Sequence, residues 1–326
     1  MNARIAFSDF PSTLLNPDAL LDRVEEAMSR LVQVDLQPSP LTPPSAAVAA
    51  ALYHLQSGGR RIRARLALHA GIALGLSADN CVALASVAEL LHNASLVHDD
   101  LQDRDQFRRG VKTVWYALGD NIALCAGDLL LSSAYGALGD FAVAGKPQLL
   151  SSLLRFVQAA TSAAIRGQCA DLAFKGAPVP AHAVDMSAYE RIAIAKSGAL
   201  LSLPIGLVLV ASEKSQFNEH AQRACDAFAI AYQIADDLQD VTQDAGGANA
   251  EHPSLNALVI LRACGHGEDS LRLACTIALA HLAKADAAAA QLPGDAGRLL
   301  REYGHKLSCE LTNELASTRA NPLANR

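Results

Sequence analysis

Residues 90–103 read Leu-Leu-His-Asn-Ala-Ser-Leu-Val-His-Asp-Asp-Leu-Gln-Asp, an apolar run that ends in three aspartates. The same pentapeptide, Asp-Asp-Leu-Gln-Asp, returns at residues 236–240 after a second apolar run. On an α-helix, positions i, i+1 and i+4 lie within about 100° of arc, so each copy places three carboxylates on one face. Like charges one turn apart repel, and more strongly where apolar neighbours exclude water, so the pattern predicts a bound cation at each copy.

The composition of the chain favours helices. Of its 326 residues, 51% are hydrophobic but only 5% are aromatic, which is typical of packed helices rather than sheets. We therefore predict an all-α protein of about ten helices, one of them from Val114 to Tyr135. The helices should form one domain over residues 1–326, a single large bundle with an N-terminal helix and a proline-rich connector at residues 1–44. The two acidic turns can then face each other only across the interior of the bundle.

Charge and cysteine content narrow the possible partners. A net charge of -6 gives no overall attraction to nucleic acid or to an anionic membrane, so no nucleic-acid partner is expected. The seven cysteines include no Cys-x-x-Cys pair, and no secretory leader is recognised, which predicts a cytoplasmic protein with reduced thiols. The longest uncharged apolar run, residues 198–211, is shorter than the roughly 20 residues that cross a bilayer, so we expect a buried helix there and no membrane span.

The acidic turns carry the donor atoms of a magnesium site. Oxygen donors without a neighbouring cysteine, and with His98 as the adjacent imidazole, favour Mg²⁺ over zinc or iron. Mg²⁺ usually keeps one or two carboxylates and fills its other positions with water and phosphate oxygens, so two opposed turns predict a diphosphate held between metal ions. A solvated acidic helix face is the alternative, and repetition of the motif in apolar surroundings disfavours it.

Two basic clusters have the properties of diphosphate sites. Residues 58–63 read Gly-Gly-Arg-Arg-Ile-Arg, a flexible turn followed by three guanidinium groups suited to bidentate phosphate contacts. Residues 108–110 read Arg-Arg-Gly and closely follow the first acidic turn. Either cluster alone is explained as well by a solvated surface patch or a nucleic-acid contact, but beside two aspartate turns phosphate binding is favoured.

From about Gly58 to Asp244, these motifs resemble those of the trans-isoprenyl diphosphate synthases, also called polyprenyl synthetases. The aspartate turns are similar to the family's first and second aspartate-rich motifs, and Arg-Arg-Gly follows the first one. Other matching stretches occur in the family's order: His92-x-x-Ser95-Leu96-x-His98, Gly127-Asp128, Gly167-Gln168-x-x-Asp171-Leu172, Lys196-Ser197 and Tyr232-Gln233.

The resemblance implies an isoprenoid synthase fold with a deep central cavity, where isopentenyl diphosphate extends an allylic prenyl diphosphate. It also implies three Mg²⁺ ions and a homodimer. The implied metal ligands are the aspartates Asp99, Asp100, Asp103, Asp236, Asp237 and Asp240. The implied catalytic groups are those aspartates with Arg108, Lys196 and Gln233. The implied substrate-binding residues are Gly59, Arg60, Arg63, His92, Arg108, Arg109, Lys196, Ser197 and Gln233.

Product length in such enzymes depends on the side chains that precede the first aspartate motif. Short-chain members typically place an aromatic residue five or four positions before the first aspartate. Here those positions hold Ala94 and Ser95, whose small side chains predict a product of C20 or longer.

The chain also departs from the family pattern. Arg60 stands where lysine is usual. The family's Gly-Lys-x-x-Gly-x-Asp segment after the second motif is replaced by Asp-Ala-Gly-Gly-Ala-Asn at residues 244–249, and no lysine occurs between Lys214 and Lys284. Three other functions therefore stay open: a terpene-synthase-like cyclase, a low-activity subunit of a heteromeric synthase, and a helical binding module. The paired basic clusters disfavour the cyclase, and the six intact aspartates disfavour the subunit.

Overall fold

The computed structural model describes residues 15–34, 45–144, 147–176, 185–244 and 256–320, which are almost entirely helical. The first helices are α1 (Pro17–Val32), α2 (Ala46–Gln56), α3 (Ile62–Ala73), α4 (Ala78–Asp103), α5 (Val114–Leu118), α6 (Asp120–Val143) and α7 (Leu150–Gly176). The remaining helices are α8 (Met186–Ala193), α9 (Ala199–Ala211), α10 (Asn218–Asp244), α11 (Ala257–Leu261), α12 (Ser270–Ala289) and α13 (Arg298–Ala320). Two-residue strands β1 (Phe107–Arg108) and β2 (Val111–Lys112) pair antiparallel. The predicted all-α class is confirmed.

Helix α4 is the central element and carries the first aspartate motif at its end. Its backbone begins at Ser77, whose hydroxyl accepts a hydrogen bond from the Asn80 amide at 3.3 Å, a typical N-cap. The helix packs against α1, α3, α6 and α9, and nearly every residue of its first four turns is buried. It ends at Arg104, which adopts the left-handed conformation with φ 59°. The acidic end of the helix is therefore held in place by a core on several sides.

The second aspartate motif lies on α10, which packs against α9 and α12. Helix α9 is buried at every position, including Pro204. Between α8 and α9, residues Ile194–Gly198 form a π-helical turn, so that the two helices follow each other without a break. Such turns are frequent at functional sites, and this one contains Lys196 and Ser197.

One sequence prediction about these elements was wrong. The helix predicted from Val114 to Tyr135 is two helices, because Gly119 has φ 94° and ends α5 before α6 begins. The apolar run at residues 198–211 is buried, as expected, and forms the end of a longer helical stretch, Met186–Ala211. The predicted N-terminal helix is α1, whereas the proline-rich connector at residues 35–44 lies outside the described residues.

By length and composition alone, three described helices could cross a membrane: Ala78–Asp103, Asp120–Val143 and Met186–Ala211. In the first and last of these helices, 78% and 72% of the most apolar window is buried within the bundle. Packing in the protein core therefore explains why these two helices are apolar. In Asp120–Val143 only 44% is buried, so much of an apolar helix faces outward. The absence of a membrane span stays a prediction.

Candidate functional site

The first aspartate motif separates into two kinds of carboxylate. Asp99 and Asp103 are half-buried at the end of α4, whereas only 1% of the Asp100 side chain is exposed. Arg108 reaches Asp100 Oδ1 with Nε at 2.7 Å and with Nη2 at 2.6 Å. The β1–β2 hairpin makes this contact possible, because it folds the chain back over the helix end through Arg109 and Gly110, which have φ 54° and 78°. Asp100 is thus placed to hold Arg108.

The charges around Asp99 favour a cation. Burial, with the Asp103 and Asp100 carboxylates, raises the pKa of Asp99 to about 6 against the opposing Lys196 and Arg108 charges. Burial also raises the pKa of Asp100, against the hydrogen bond from Arg108. The end of α4 therefore holds more negative charge than its own basic neighbours offset.

The second motif shows the same division. Asp236 is exposed and lines a cavity, while Asp237 is 4% exposed. Asp237 Oδ2 accepts hydrogen bonds from the Tyr189 hydroxyl at 2.7 Å and the Ala257 amide at 2.8 Å, and Oδ1 accepts one from Gln233 Nε2 at 3.1 Å. Burial raises the pKa of Asp237 to about 6 despite these three donors. Asp240 lies on α10, but its side chain is outside the described ones.

The glycine–arginine loop at residues 58–63 turns its arginines in different directions. Arg60 is exposed and donates to the Tyr232 hydroxyl at 3.0 Å. Arg61 has a side chain that is only 5% exposed and faces the buried Glu89, so it is the least accessible of the three arginines to a phosphate. Arg63 donates to the Leu200 carbonyl at 3.2 Å, and desolvation lowers its pKa. Gly59 has φ 137°, a backbone conformation that residues with a side chain rarely adopt, so this position favours glycine.

Arg61 belongs to a buried polar network beneath the loop. Its Nη2 donates to the Leu55 carbonyl at 2.8 Å, and its Nη1 lies 3.8 Å from Glu89 Oε1. Glu89 also accepts from the Ala64 amide at 3.0 Å, and Asn93 extends the network to His54. Burial, with the Arg109 and Arg108 charges, lowers the pKa of His54 to about 4, so this imidazole stays neutral. In the sequence, the signal for this network was Glu89, an acidic residue one turn before His92 in an otherwise apolar run.

A cavity of about 590 Å³ opens between the loop, α4 and α10. Nine of the predicted site residues line it: Gly59, Arg60, Arg63, His92, Arg108, Arg109, Ser197, Gln233 and Asp236. Its apolar lining comes from Ile62, Leu96, Leu201, Phe228 and Ala229. Burial, with the Arg63 and Arg109 charges, lowers the pKa of His92 well below its usual range. The cavity therefore combines arginine side chains, apolar side chains and the Asp236 carboxylate in one lining.

The remaining predicted residues lie around this cavity rather than in its lining. Lys196 Nζ forms an ion pair with Asp171 Oδ2 at 2.8 Å. Ala94 is 3% exposed, within the core, and the half-buried Ser95 donates its hydroxyl to the His92 carbonyl at 2.8 Å. His98 packs against α6 at Gly127, where a Cβ would overlap the imidazole ring. His98 is therefore packed between α4 and α6 beside the aspartates.

Comparisons with known proteins identify the family. Residues 45–251 match the family model for polyprenyl synthetase. The chain belongs to the polyprenyl synthetase family. Similar relatives include the (2E,6E)-farnesyl diphosphate synthase of Mycobacterium tuberculosis H37Rv, 37% identical over 188 residues, which are 55% of this chain and 48% of that protein. Farnesyl diphosphate synthase of Escherichia coli K12 is 31% identical over 250 residues, which are 72% of this chain and 77% of that protein.

Solved structures of the polyprenyl synthetase family share the fold. The crystal structure of an FPP/GFPP synthase from Zymomonas mobilis superposes with a TM-score of 0.71 at 26% identity, covering 90% of this chain and 99% of the other. The isoprenoid synthase fold predicted from the motifs is confirmed. The chain spans about half the length of the Mycobacterium relative, 48%.

The polyprenyl synthetase motifs offer oxygen donors suited to Mg²⁺. Among the described side chains, no group of three or more His, Cys, Asp or Glu residues is arranged to hold a metal by itself. Mg²⁺ usually takes one or two carboxylates from a protein and completes its shell with water and phosphate oxygens. One oxygen of Asp100, Oδ2, is buried without a hydrogen-bond partner, and burial raises the pKa of the neighbouring Asp99 carboxylate, which a bound cation would stabilise. The donor set therefore fits Mg²⁺.

Proposed function

We propose that the protein is a trans-prenyltransferase that joins isopentenyl diphosphate to an allylic prenyl diphosphate and releases a longer trans-polyprenyl diphosphate. The observation that carries the proposal is one cavity whose lining includes both arginine side chains and an aspartate of the second motif. Two diphosphates need two anion sites, and a reaction between their carbon chains needs an apolar wall between those sites.

The homoallylic diphosphate of isopentenyl diphosphate is assigned to the arginine side. Arg63 and Arg109 are cations with lowered pKa because desolvation opposes their charge, so an arriving diphosphate gains strongly from them. The full set proposed for this subsite is Gly59, Arg60, Arg63, His92 and Arg109. A neutral His92 can donate one ring N–H to a phosphate oxygen without adding charge.

The allylic diphosphate is assigned to the aspartate side, held through three Mg²⁺ ions. The proposed ligands are the carboxylates Asp99, Asp100, Asp103, Asp236, Asp237 and Asp240. Asp99, Asp103 and Asp236 have the larger share, because Asp100 and Asp237 are buried and already accept hydrogen bonds from Arg108 and Gln233. Bound Mg²⁺ would neutralise the diphosphate and stabilise the negative charge that develops as it leaves.

The chain's own residues supply the rest of the chemistry. Arg108, Lys196 and Gln233 are positioned to donate hydrogen bonds to the departing diphosphate, and such preorganised donors act selectively on charge that develops in the transition state. The bond from C1 of the allylic substrate to oxygen breaks, and the electron pair leaves with the diphosphate. The isopentenyl double bond then attacks C1, and the released diphosphate takes the proton lost from the new chain. Leu96, Leu201 and Phe228 keep water away from the cation.

The product is proposed to be C20 or longer. Ala94 and Ser95 supply no aromatic floor below Asp99, and this supports the proposal. Ser95 is half-buried, so Ser95→Phe is a better test than Ala94→Phe, which must displace core atoms around a residue only 3% exposed. Mass spectrometry of the products should show a shorter chain for Ser95→Phe. Unchanged product length in both variants, with folding intact, would contradict the proposed path of the growing chain.

A cytoplasmic homodimer without a nucleic-acid or membrane partner completes the proposal. The outward face of α6 and the preceding α5 expose Leu124 at 49% and Leu118 at 47%, and a second copy of the chain would cover such apolar residues. Light scattering during gel filtration should give twice the monomer mass for the wild type. For Leu124→Asp it should give the mass of one monomer.

The decisive assay combines the pure protein, Mg²⁺ and isopentenyl diphosphate with C5, C10, C15 or C20 allylic diphosphates in turn. Elongated diphosphates support the proposal, a cyclised hydrocarbon would identify a terpene-synthase-like cyclase, and silence with every primer would favour a subunit that needs a partner. Asp99→Asn and Asp236→Asn should abolish elongation. Glu190→Gln is a suitable control, because its carboxylate pairs with His281 at 3.1 Å on other elements.

A further inference from the structure

Three residues of α7 approach the site, although they do not line the cavity. Gly167 lies against the π-helical turn, where a Cβ would overlap the Ala195 carbonyl and the Lys196 amide. Gln168 Nε2 donates to Gln102 Oε1 at 3.0 Å, within the first aspartate motif. Asp171 Oδ2 accepts from Lys196 Nζ at 2.8 Å. One helix therefore contacts both the metal-binding end of α4 and the lysine of the π-helical turn.

In the Lys196–Asp171 ion pair the carboxylate is buried, whereas the ammonium group stays accessible to a ligand. The Asp171 side chain is 6% exposed, while that of Lys196 is 29% exposed. An ammonium group has three N–H donors, and Asp171 needs only part of them. Gln168, one turn before Asp171 on α7, donates to Gln102 of the first aspartate motif at 3.0 Å. Lys196 is thus anchored by a helix that also contacts the end of α4.

We infer that Asp171 is a positioning residue, which fixes the Lys196 ammonium beside the first aspartate cluster so that it meets the leaving diphosphate. This inference rests on the proposed function and deepens it. A free lysine side chain samples many rotamers, and holding it beforehand removes that entropy from the step in which diphosphate departs. The need for such an anchor is increased in this chain, because no lysine lies between Lys214 and Lys284 to supply a further cation.

The architecture explains why Gly167 and Asp171 occur together. They are one helical turn apart on α7, so both face the π-helical turn. Gly167 lets the backbone of α7 contact the backbone of the π-helical turn. At this short separation the Asp171 carboxylate reaches the Lys196 ammonium. A longer separation would leave Asp171 buried without its cation, which is costly.

The test is a double-mutant cycle with Asp171→Asn, Lys196→Met and the double variant, and with Glu190→Gln as the control for loss of a half-buried, ion-paired carboxylate. Isothermal calorimetry measures the affinity for inorganic pyrophosphate at saturating Mg²⁺, and steady-state kinetics measures transfer to a C15 primer. We expect Asp171→Asn to weaken pyrophosphate binding about fivefold to tenfold and to lower kcat between about tenfold and a hundredfold. In the Lys196→Met background, Asp171→Asn should change either quantity less than about twofold.

Thermal melts separate positioning from folding. The neutral double variant should regain stability lost by each single variant, because both charges are gone, yet should not regain pyrophosphate affinity. If the losses of pyrophosphate affinity or kcat in the two single variants multiply in the double variant, the inference is overturned. It is also overturned if a higher Mg²⁺ concentration restores the activity of Asp171→Asn, since Asp171 would then be a metal ligand. A wild type that binds pyrophosphate but elongates no primer would refute the proposed function, while the calorimetric cycle would still decide the role of Asp171.

Discussion

Arg60 and Arg61 are chemically identical neighbours, and the structure predicts opposite consequences for replacing them. The Arg61 side chain is 5% exposed and lies 3.8 Å from Glu89, whose side chain is 4% exposed, with Glu25 at 3.0 Å on its other side. Arg61→Leu leaves the Glu89 carboxylate buried without its cation, which costs about 3–5 kcal/mol. That is a large part of the roughly 5–15 kcal/mol by which a domain is stable. Arg60→Leu should change the free energy of unfolding by no more than about 0.5 kcal/mol, because Arg60 is exposed.

Urea unfolding followed by circular dichroism measures this difference, and calorimetry with isopentenyl diphosphate measures binding. Arg61→Leu should lower the unfolding midpoint, whereas Arg60→Leu should weaken binding about tenfold or more at an unchanged midpoint. Adding Glu89→Gln to Arg61→Leu should recover part of the stability, since the new side-chain amide carries no charge while its oxygen still accepts from the Ala64 amide. Equal losses of stability in the two single variants would refute the reasoning, and so would a stable Arg61→Leu protein with weakened binding.

Three further predictions concern buried groups. The pKa of His54 is about 4 in the folded protein and 6.5 when exposed, so only the unfolded state takes up a proton between these values. Stability should therefore fall by about 3 kcal/mol from pH 6.5 to pH 4, and the difference in unfolding free energy between wild type and His54→Gln should show this slope. Gly167→Ala should destabilise the fold by about 1–3 kcal/mol in thermal melts, because a Cβ meets backbone atoms. Gly139→Ala, where a Cβ has open space, should instead stabilise it by about 0.5–1 kcal/mol. Asp100→Asn should lower kcat at least about tenfold, because it detaches Arg108, with a much smaller change in the Mg²⁺ concentration that gives half-maximal rate. A large rise in the Mg²⁺ concentration that gives half-maximal rate would instead show that Asp100 is chiefly a ligand.

Arg61 and Arg63 show what the Gly-Gly-Arg-Arg-Ile-Arg pattern can and cannot predict. Both follow the same glycine pair, and both are cationic, so charge and spacing alone gave no reason to separate them, although the family resemblance implied a substrate contact for Arg63 and not for Arg61. The separation comes from the backbone at Arg61, which has φ 48° and turns the side chain towards α1 and α4. A left-handed arginine cannot be inferred from composition, because its partner Glu25 lies far away in the sequence. The break at Gly119 was a similar failure, since a single glycine inside an apolar helical run does not reveal its φ angle.

What the sequence determined by itself was the chemistry and its order along the chain. Two identical acidic turns in apolar helices, with arginine-rich turns nearby, identified the family, the helical class and most residues of the candidate site. Local spacing suffices for this, because side chains on one helical turn share a face whatever surrounds them. Only the tertiary structure decided which aspartate of each pair stays accessible, Asp99 or Asp236, and which one, Asp100 or Asp237, is buried to hold a neighbouring donor. That choice depends on which helix packs against each face, and packing between distant segments is not encoded in any short stretch of sequence.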